Sequence, residues 1–203
     1  FWYEAVFTRL IVERAASLDE MRRIAGAAPG LEIEAFVHGA ICVCYSGRCF
    51  MSRSMGPRSG NRGDCSQACR LPYELLDGRM RSQGRARHWL SVRDLNLSDR
   101  LEEMIDAGVG SFKIEGRLKD MAYVRNVVGW YRSRLDEIFF RRPDLKRASQ
   151  GSVALDFEPD PAKSFSRGST HYFLDGPAAG VASLDTPKRR SGRLSRRVGS
   201  GSG

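Results

Sequence analysis

The sequence lacks the marks of several large functional classes. It contains neither HExxH nor GxSxG, so it encodes neither a zinc-protease helix nor a serine nucleophile elbow. Its three histidines, His38, His88 and His171, suffice in number for a triad, but no neighbouring motif supports one. The longest apolar runs are a handful of residues, far short of the roughly 20 that span a bilayer, and the N-terminus has no basic-then-apolar leader pattern. A cytoplasmic, reducing compartment is therefore the expectation, which suits free thiols. Acidic residues are missing after Asp185, where Lys188, Arg189, Arg190, Arg193, Arg196 and Arg197 supply six of the net +9 charges and leave the rest of the chain at +3. Such a tail gives weak, salt-sensitive binding to any polyanion, so net charge alone does not specify an RNA site.

Cysteine is scarce everywhere except in one window. All five, Cys42, Cys44, Cys49, Cys65 and Cys69, fall between residues 34 and 70. A disulfide framework fits short secreted chains with an even cysteine count, which this is not. Structural zinc favours paired C-x2-4-C knuckles, and only Cys65-x3-Cys69 has that form. An iron-sulfur cluster needs four thiolates that converge from irregular, Gly-rich loops, and Gly39, Gly47, Gly56, Gly60 and Gly63 supply such a loop. Plain burial as small apolar side chains is the remaining reading, opposed by the polar neighbours Ser46, Arg48, Asp64 and Arg70.

The run Glu34-x-Phe36-x2-Gly39-Ala40-Ile41-Cys42-x4-Gly47-x-Cys49-x-Met51-Ser52 resembles the signature of the collagenase-like peptidase family of unassigned catalytic type. Asn61 to Arg70, Ser111 to Arg117 and Phe165-x-Arg167-Gly168-Ser169-Thr170-x-Tyr172-Phe173 are similar to further family blocks, and the likeness runs from about Phe7 to about Lys188. Despite its peptidase label, the resemblance implies hydroxylation of transfer RNA, ribosomal RNA or ubiquinone precursors. It also implies a four-iron four-sulfur (4Fe-4S) cluster on Cys42, Cys49, Cys65 and Cys69, with Cys44 spare, and prephenate as a co-substrate. Through NRGDCSQACRLPY the chain is most similar to the branch that makes 5-hydroxycytidine in large-subunit (23S) ribosomal RNA. A collagenase-like peptidase, or an inactive remnant of either enzyme, is the alternative.

The remaining pattern predicts α/β structure. Val6 to Val12 reads as a strand, and Ser17-Leu18-Asp19-Glu20 is a capping box opening a helix that Pro29-Gly30 ends. Leu31 to Val37 alternates as a second strand and delivers His38 and the cysteine loop, 39–70. Trp89 to Val92 reads as a short strand feeding Asp94, and Ser98 as the cap of a helix that stops at Gly108. Val109 to Glu115 reads as a strand, and Asp120 opens a long helix in which Met121, Val124, Val127, Val128, Tyr131, Leu135 and Ile138 form an apolar stripe. This alternation, with functional residues at strand C-termini, predicts a partial TIM-like (β/α) barrel, its C-terminal half, over 1–148. A small β-rich C-terminal appendage is expected over 149–187, and a basic low-complexity tail over 188–203. The chain starts at Phe1 rather than Met and reads as part of a longer protein. A half barrel has open edges that a missing half, another chain or another copy would cover.

Lys113, Glu115 and Arg117 alternate along or just past one strand, which would place them on one face as ligands of an anionic metabolite or a nucleotide phosphate. A structural ion-pair network is the alternative. Lys113 and Glu115 are also candidates for the chemistry, and His38, at a strand end, is a candidate acid or base or a structural histidine. Arg62 and Arg70 flank the cysteines and could steer RNA or compensate the thiolates.

Overall fold

The structure, a computed structural model, describes residues 6–45, 47–148 and 150–177. The basic tail, residues 178–187 of the expected appendage, and Ser46 lie outside these. Among the described residues no helix is long and apolar enough to cross a membrane.

The sheet is built around β2 (Glu32–Gly39). It lies parallel to β1 (Arg9–Ile11) in the register Leu10↔Ile33, and parallel to β4 (Val109–Ile114) in the register Ala35↔Phe112. Because β4 follows one edge of β2 from Ile33 to His38, the opposite edge is shared. β1 takes its start, and β3 (Asp94–Asn96) pairs antiparallel with its end at His38↔Asn96. A two-residue strand, β5 (Ser169–Thr170), then pairs parallel with β3. β2 is therefore covered on both edges, and its Ile33, Ala35 and Val37 are at most 1% exposed. The sheet is mixed and open among the described residues.

The helices follow from local signals. α1 (Leu18–Ala27) carries the complete capping box, with Glu20 N–H donating to Ser17 Oγ at 3.3 Å and Ser17 N–H to Glu20 Oε2 at 2.8 Å. α2 (Met51–Ser54) is a single turn inside the cysteine loop, and α3 (Leu101–Asp106) opens at Arg100, not at Ser98, whose N–H is taken by the Asn96 side chain at 3.2 Å. α4 (Met121–Arg141) is capped as expected, Tyr123 N–H donating to Asp120 Oδ1 at 2.7 Å. Val127, Tyr131 and Ile138 of the expected stripe face the core and Tyr123 joins them, whereas Met121 is 72% exposed and Val124 and Val128 are exposed as well. Tyr123 takes an inner place because its ring removes more apolar area from water than Val124 would.

Tyr131 does more than fill space. Its hydroxyl donates to Val37 O at 2.7 Å, accepts from Leu97 N–H at 3.2 Å and lies 3.3 Å from His38 Nδ1, tying α4 to the end of β2 and to the residue after β3.

Where an appendage was expected, residues 150–177 wrap the main body. Asn126 on α4 exchanges two 2.7 Å bonds with the Asp160 backbone, Gly129 leaves room for Leu155, and Leu174 is buried in the core. The strand they contribute, β5, belongs to the main sheet rather than to a β-rich unit.

Candidate functional site: a thiol and cation cavity at the strand ends

The site begins where β2 stops. Gly39 has φ +106°, and a Cβ there would lie 2.7 Å from Glu115 O, so only glycine lets the ends of β2 and β4 approach while the chain turns away. The following loop is braced by polar bonds. Cys49 N–H donates to Asn61 Oδ1 at 2.9 Å, and Ser66 N–H donates at 3.1 Å to Ser52 Oγ, which is buried 3.9 Å from Cys65 Sγ. Arg58 pairs with Asp64 at 2.7 Å, and Arg117 donates to Gly63 O at 2.7 Å. Gln67 adopts the left-handed region, φ +57°, and its N–H points at Cys65 Sγ from 3.3 Å. Strain of this kind persists only where the surroundings impose it, and it aims a backbone donor at a thiol.

A cavity of about 570 Å³ opens beside this loop. Cys42, Cys65 and Cys69 line it, with Arg14, Arg58, Arg70, Arg117, Lys119 and Arg167 around them and Glu115 as the one carboxylate. Burial lowers the Arg70 guanidinium and the Lys119 ammonium below their ordinary values, and nearby Arg167 adds to both. Burial raises the Cys69 thiol, against the pull of Arg70 and together with Cys42, Cys65 and Cys49. Cations that depress one another in a partly desolvated cavity favour an anion among them. Cys49 stands just outside this wall, with the space at Gly60 between it and Cys65. Among the described residues, no three cysteine, histidine or carboxylate side chains close on one point as a single metal ion requires.

The expected residues divide. Glu115 and Arg117 line the cavity, Glu115 accepting from Arg14 Nη2 at 2.9 Å and from Arg117 N–H at 2.9 Å. Lys113 lines neither this cavity nor the smaller one described below. It pairs at 3.0 Å with Glu34, whose carboxylate also takes Arg9 and Ser111 and is held below its usual range, chiefly by the Lys113 bond. The expected common face fails because Glu115 and Arg117 lie past the end of β4, where strand alternation no longer applies. Arg70 lines the cavity but spends its donors on structure: Nη1 on Val92 O at 2.8 Å and Ser91 Oγ at 3.2 Å, and Nη2 on Ile41 O. Arg62 is exposed, outside both cavities. His38 is in the core, 9% exposed, and burial pushes its pKa down to about 4, the form that rests neutral against Tyr131.

Arg14, Arg58 and Lys119 were not singled out by sequence, and Arg167 was noted only within a family block, not as a site residue. Arg14 and Lys119 follow the C-terminal ends of β1 and β4, where a barrel-like reading looks for site residues, and that position was the available signal. Arg167 is bound to buried Asp94 at 3.3 Å, a contact across 73 residues that no local pattern announces.

A site of thiols and cations at the C-terminal ends of parallel strands can now be set beside known proteins. The family model Peptidase family U32 matches residues 1–182, and the chain belongs to that family. Among its relatives, the 23S rRNA 5-hydroxycytidine C2501 synthase of Escherichia coli is 47% identical over 93% of this chain and 29% of that protein. The tRNA hydroxylation protein P1 of Bacillus subtilis is 40% identical over 67% of the chain and 33% of the relative. A protein of Porphyromonas gingivalis named collagenase is 37% identical over 52% of the chain and 29% of its own length. The chain thus spans about a third or less of the length of each of these three relatives. No solved structure matches it.

Proposed function

We propose that this chain forms the thiol-bearing part of an RNA hydroxylase, acting on cytidine of 23S ribosomal RNA. The observation that carries the reading is the cavity in which three cysteines meet six cationic side chains; the 47% identity to the Escherichia coli synthase over almost the whole chain supports the substrate. Its three parallel strands, with Arg14, Cys42 and Glu115 past their C-terminal ends, suit a portion of a βα barrel that further chain would complete.

The donor set fits a 4Fe-4S cluster. Such a cluster takes one thiolate per iron and so needs four sulfurs spread around it, not gathered on one point, with backbone N–H groups directed at sulfur. Cys42, Cys49, Cys65 and Cys69 would hold it, and the Gln67 N–H is one such donor. Cys44 faces the neighbouring, smaller cavity instead, although its thiol, raised by burial, also feels Cys49 and Cys42. The bound group would supply redox chemistry that no side chain here supplies. The protein's own part is to hold anions: Arg14, Lys119 and Arg167 stand where a carboxylate of prephenate or a phosphate of RNA would be received, and Glu115 orients Arg14.

The peptidase alternative lacks a nucleophile with its base among the described residues. His38 is against Tyr131, His88 against Arg70 O at 2.9 Å, and His171 against Asp99 at 3.1 Å. Mass spectrometry of nucleosides from ribosomal and transfer RNA, with and without the gene, tests the proposal: loss of 5-hydroxycytidine is expected. An unchanged profile together with gelatin cleavage by the purified protein would transfer the case to the peptidase.

A further inference from the structure

A second cavity, of about 270 Å³, shares Arg14 and Cys42 with the first and is otherwise lined by Glu13, Ala15, Val43, Cys44, Tyr45, Tyr172 and Phe173. We propose that it seats one unpaired cytosine base of an RNA strand, stacked against the tyrosine and phenylalanine rings and read by Glu13. The inference rests on the RNA reading above and goes beyond it by giving the base its own site.

Size is the first ground. The volume falls below the roughly 300 to 1,000 Å³ that takes drug-sized ligands, and it suits a single flat ring. The lining is the second. Tyr172 and Phe173 stack with centroids 4.2 Å apart and planes 15° apart, and Tyr45 stands 73% exposed beside them. Sequence-specific RNA recognition works on such surfaces, with splayed bases stacked on aromatic side chains. Tyr172 holds φ +55°, a left-handed conformation costly for a non-glycine residue, fixed by its N–H bond to Thr170 Oγ1 at 2.9 Å. An aromatic ring displayed from a strained backbone is a feature of binding surfaces rather than of plain packing.

Glu13 selects among bases. Its carboxylate has no hydrogen-bond or ion-pair partner among the described residues, and adjacent Arg14 turns away from it, to Glu115 at 2.9 Å and over the Phe36 ring at 3.7 Å. A carboxylate only accepts, and the exocyclic amino group of cytosine donates; uracil presents a carbonyl oxygen at the same place and would be repelled. The shared wall matters too. A base in this cavity places its own phosphate within reach of the cationic one, so the pair of cavities matches the two halves of a nucleotide.

The test is binding, with no requirement for turnover. The chain is titrated, by fluorescence anisotropy, with a short single-stranded RNA whose one cytidine is kept, exchanged for uridine, or made abasic. The abasic RNA is expected to bind at least about fivefold more weakly, and the uridine RNA severalfold more weakly. Tyr45→Ala should erase most of the abasic penalty, and Glu13→Ala should erase the preference for cytidine over uridine alone; both residues are exposed, so the fold tolerates the changes. Equal binding of all three RNAs, or an undiminished abasic penalty in Tyr45→Ala, overturns the cavity assignment while the RNA reading stands. No RNA affinity at all fails the RNA reading and removes this inference with it.

Discussion

Around β2 the chain is held by apolar packing, with Ile33, Val37, Leu101, Met104 and Val127 each at most 1% exposed. Among the described residues between Gly39 and Arg70 the one apolar side chain buried as deeply is Ile41, and the segment is held instead by side-chain bonds to backbone, such as Asn61 to Cys49 and Arg70 to Ile41 and Val92. The sheet excludes water and needs nothing further. The loop keeps its thiols half-exposed and its braces few, so its order is open to coupling with whatever those thiols bind. Stability belongs to one region and the proposed chemistry to the other.

The largest expected effect tests the sheet. Met104→Ala removes a fully buried side chain and should cost about 2 to 5 kcal/mol by urea denaturation. A cost under about 1 kcal/mol would show that α3 does not help anchor the scaffold.

Next is pH. His38 is neutral in the fold with a pKa near 4 against 6.5 when unfolded, so between these values the unfolded chain binds more protons. Its stability is fully present above pH 6.5 and is lost as pH falls toward 4, by up to about 3 kcal/mol. His38→Gln should flatten that part of the melting-temperature profile; an unaltered slope would place the pH sensitivity elsewhere.

Arg70→Met should cost about 1 to 3 kcal/mol, because the Ile41 and Val92 carbonyls lose a charged donor in a part-buried place. Hydrogen exchange should accelerate in residues 39–70 while β2 and β4 amides stay protected. Equal acceleration in both regions would erase the division drawn between them.

The smallest effect concerns Arg62, whose exposed side chain has no bonded partner among the described residues. Arg62→Ala should alter stability by no more than about 0.5 kcal/mol, yet lower the salt dependence of RNA binding by about one unit of slope if it meets phosphate. An unchanged slope would remove it from the RNA surface.

Local signals were legible. The Ser17 and Asp120 caps, the three parallel strands and the clustering of all cysteines in one window depend on neighbours a few residues apart, and the structure uses them as the sequence suggests. β3 was misplaced by a few residues because Asp94–Asn96 pairs antiparallel with the last residues of β2, a partner set by tertiary packing and invisible in its own short pattern. The α4 stripe was right at Val127, Tyr131 and Ile138 and wrong at its edge, where Tyr123 rather than Met121, Val124 and Val128 turns inward, since periodicity gives a helix face but packing decides its margins.

By itself, the sequence determined the mixed α/β elements, the loop that carries the thiols and the family resemblance, since caps, periodicities and motifs are properties of contiguous residues. The tertiary structure alone decided that Lys113 serves Glu34, that His38 is packed away, and that Arg14, Lys119 and Arg167 join the cysteines around one cavity beside an aromatic one. Electrostatic and stacking interactions depend on distance in space, and residues about a hundred or more positions apart are brought within a few ångströms only when the sheet has formed.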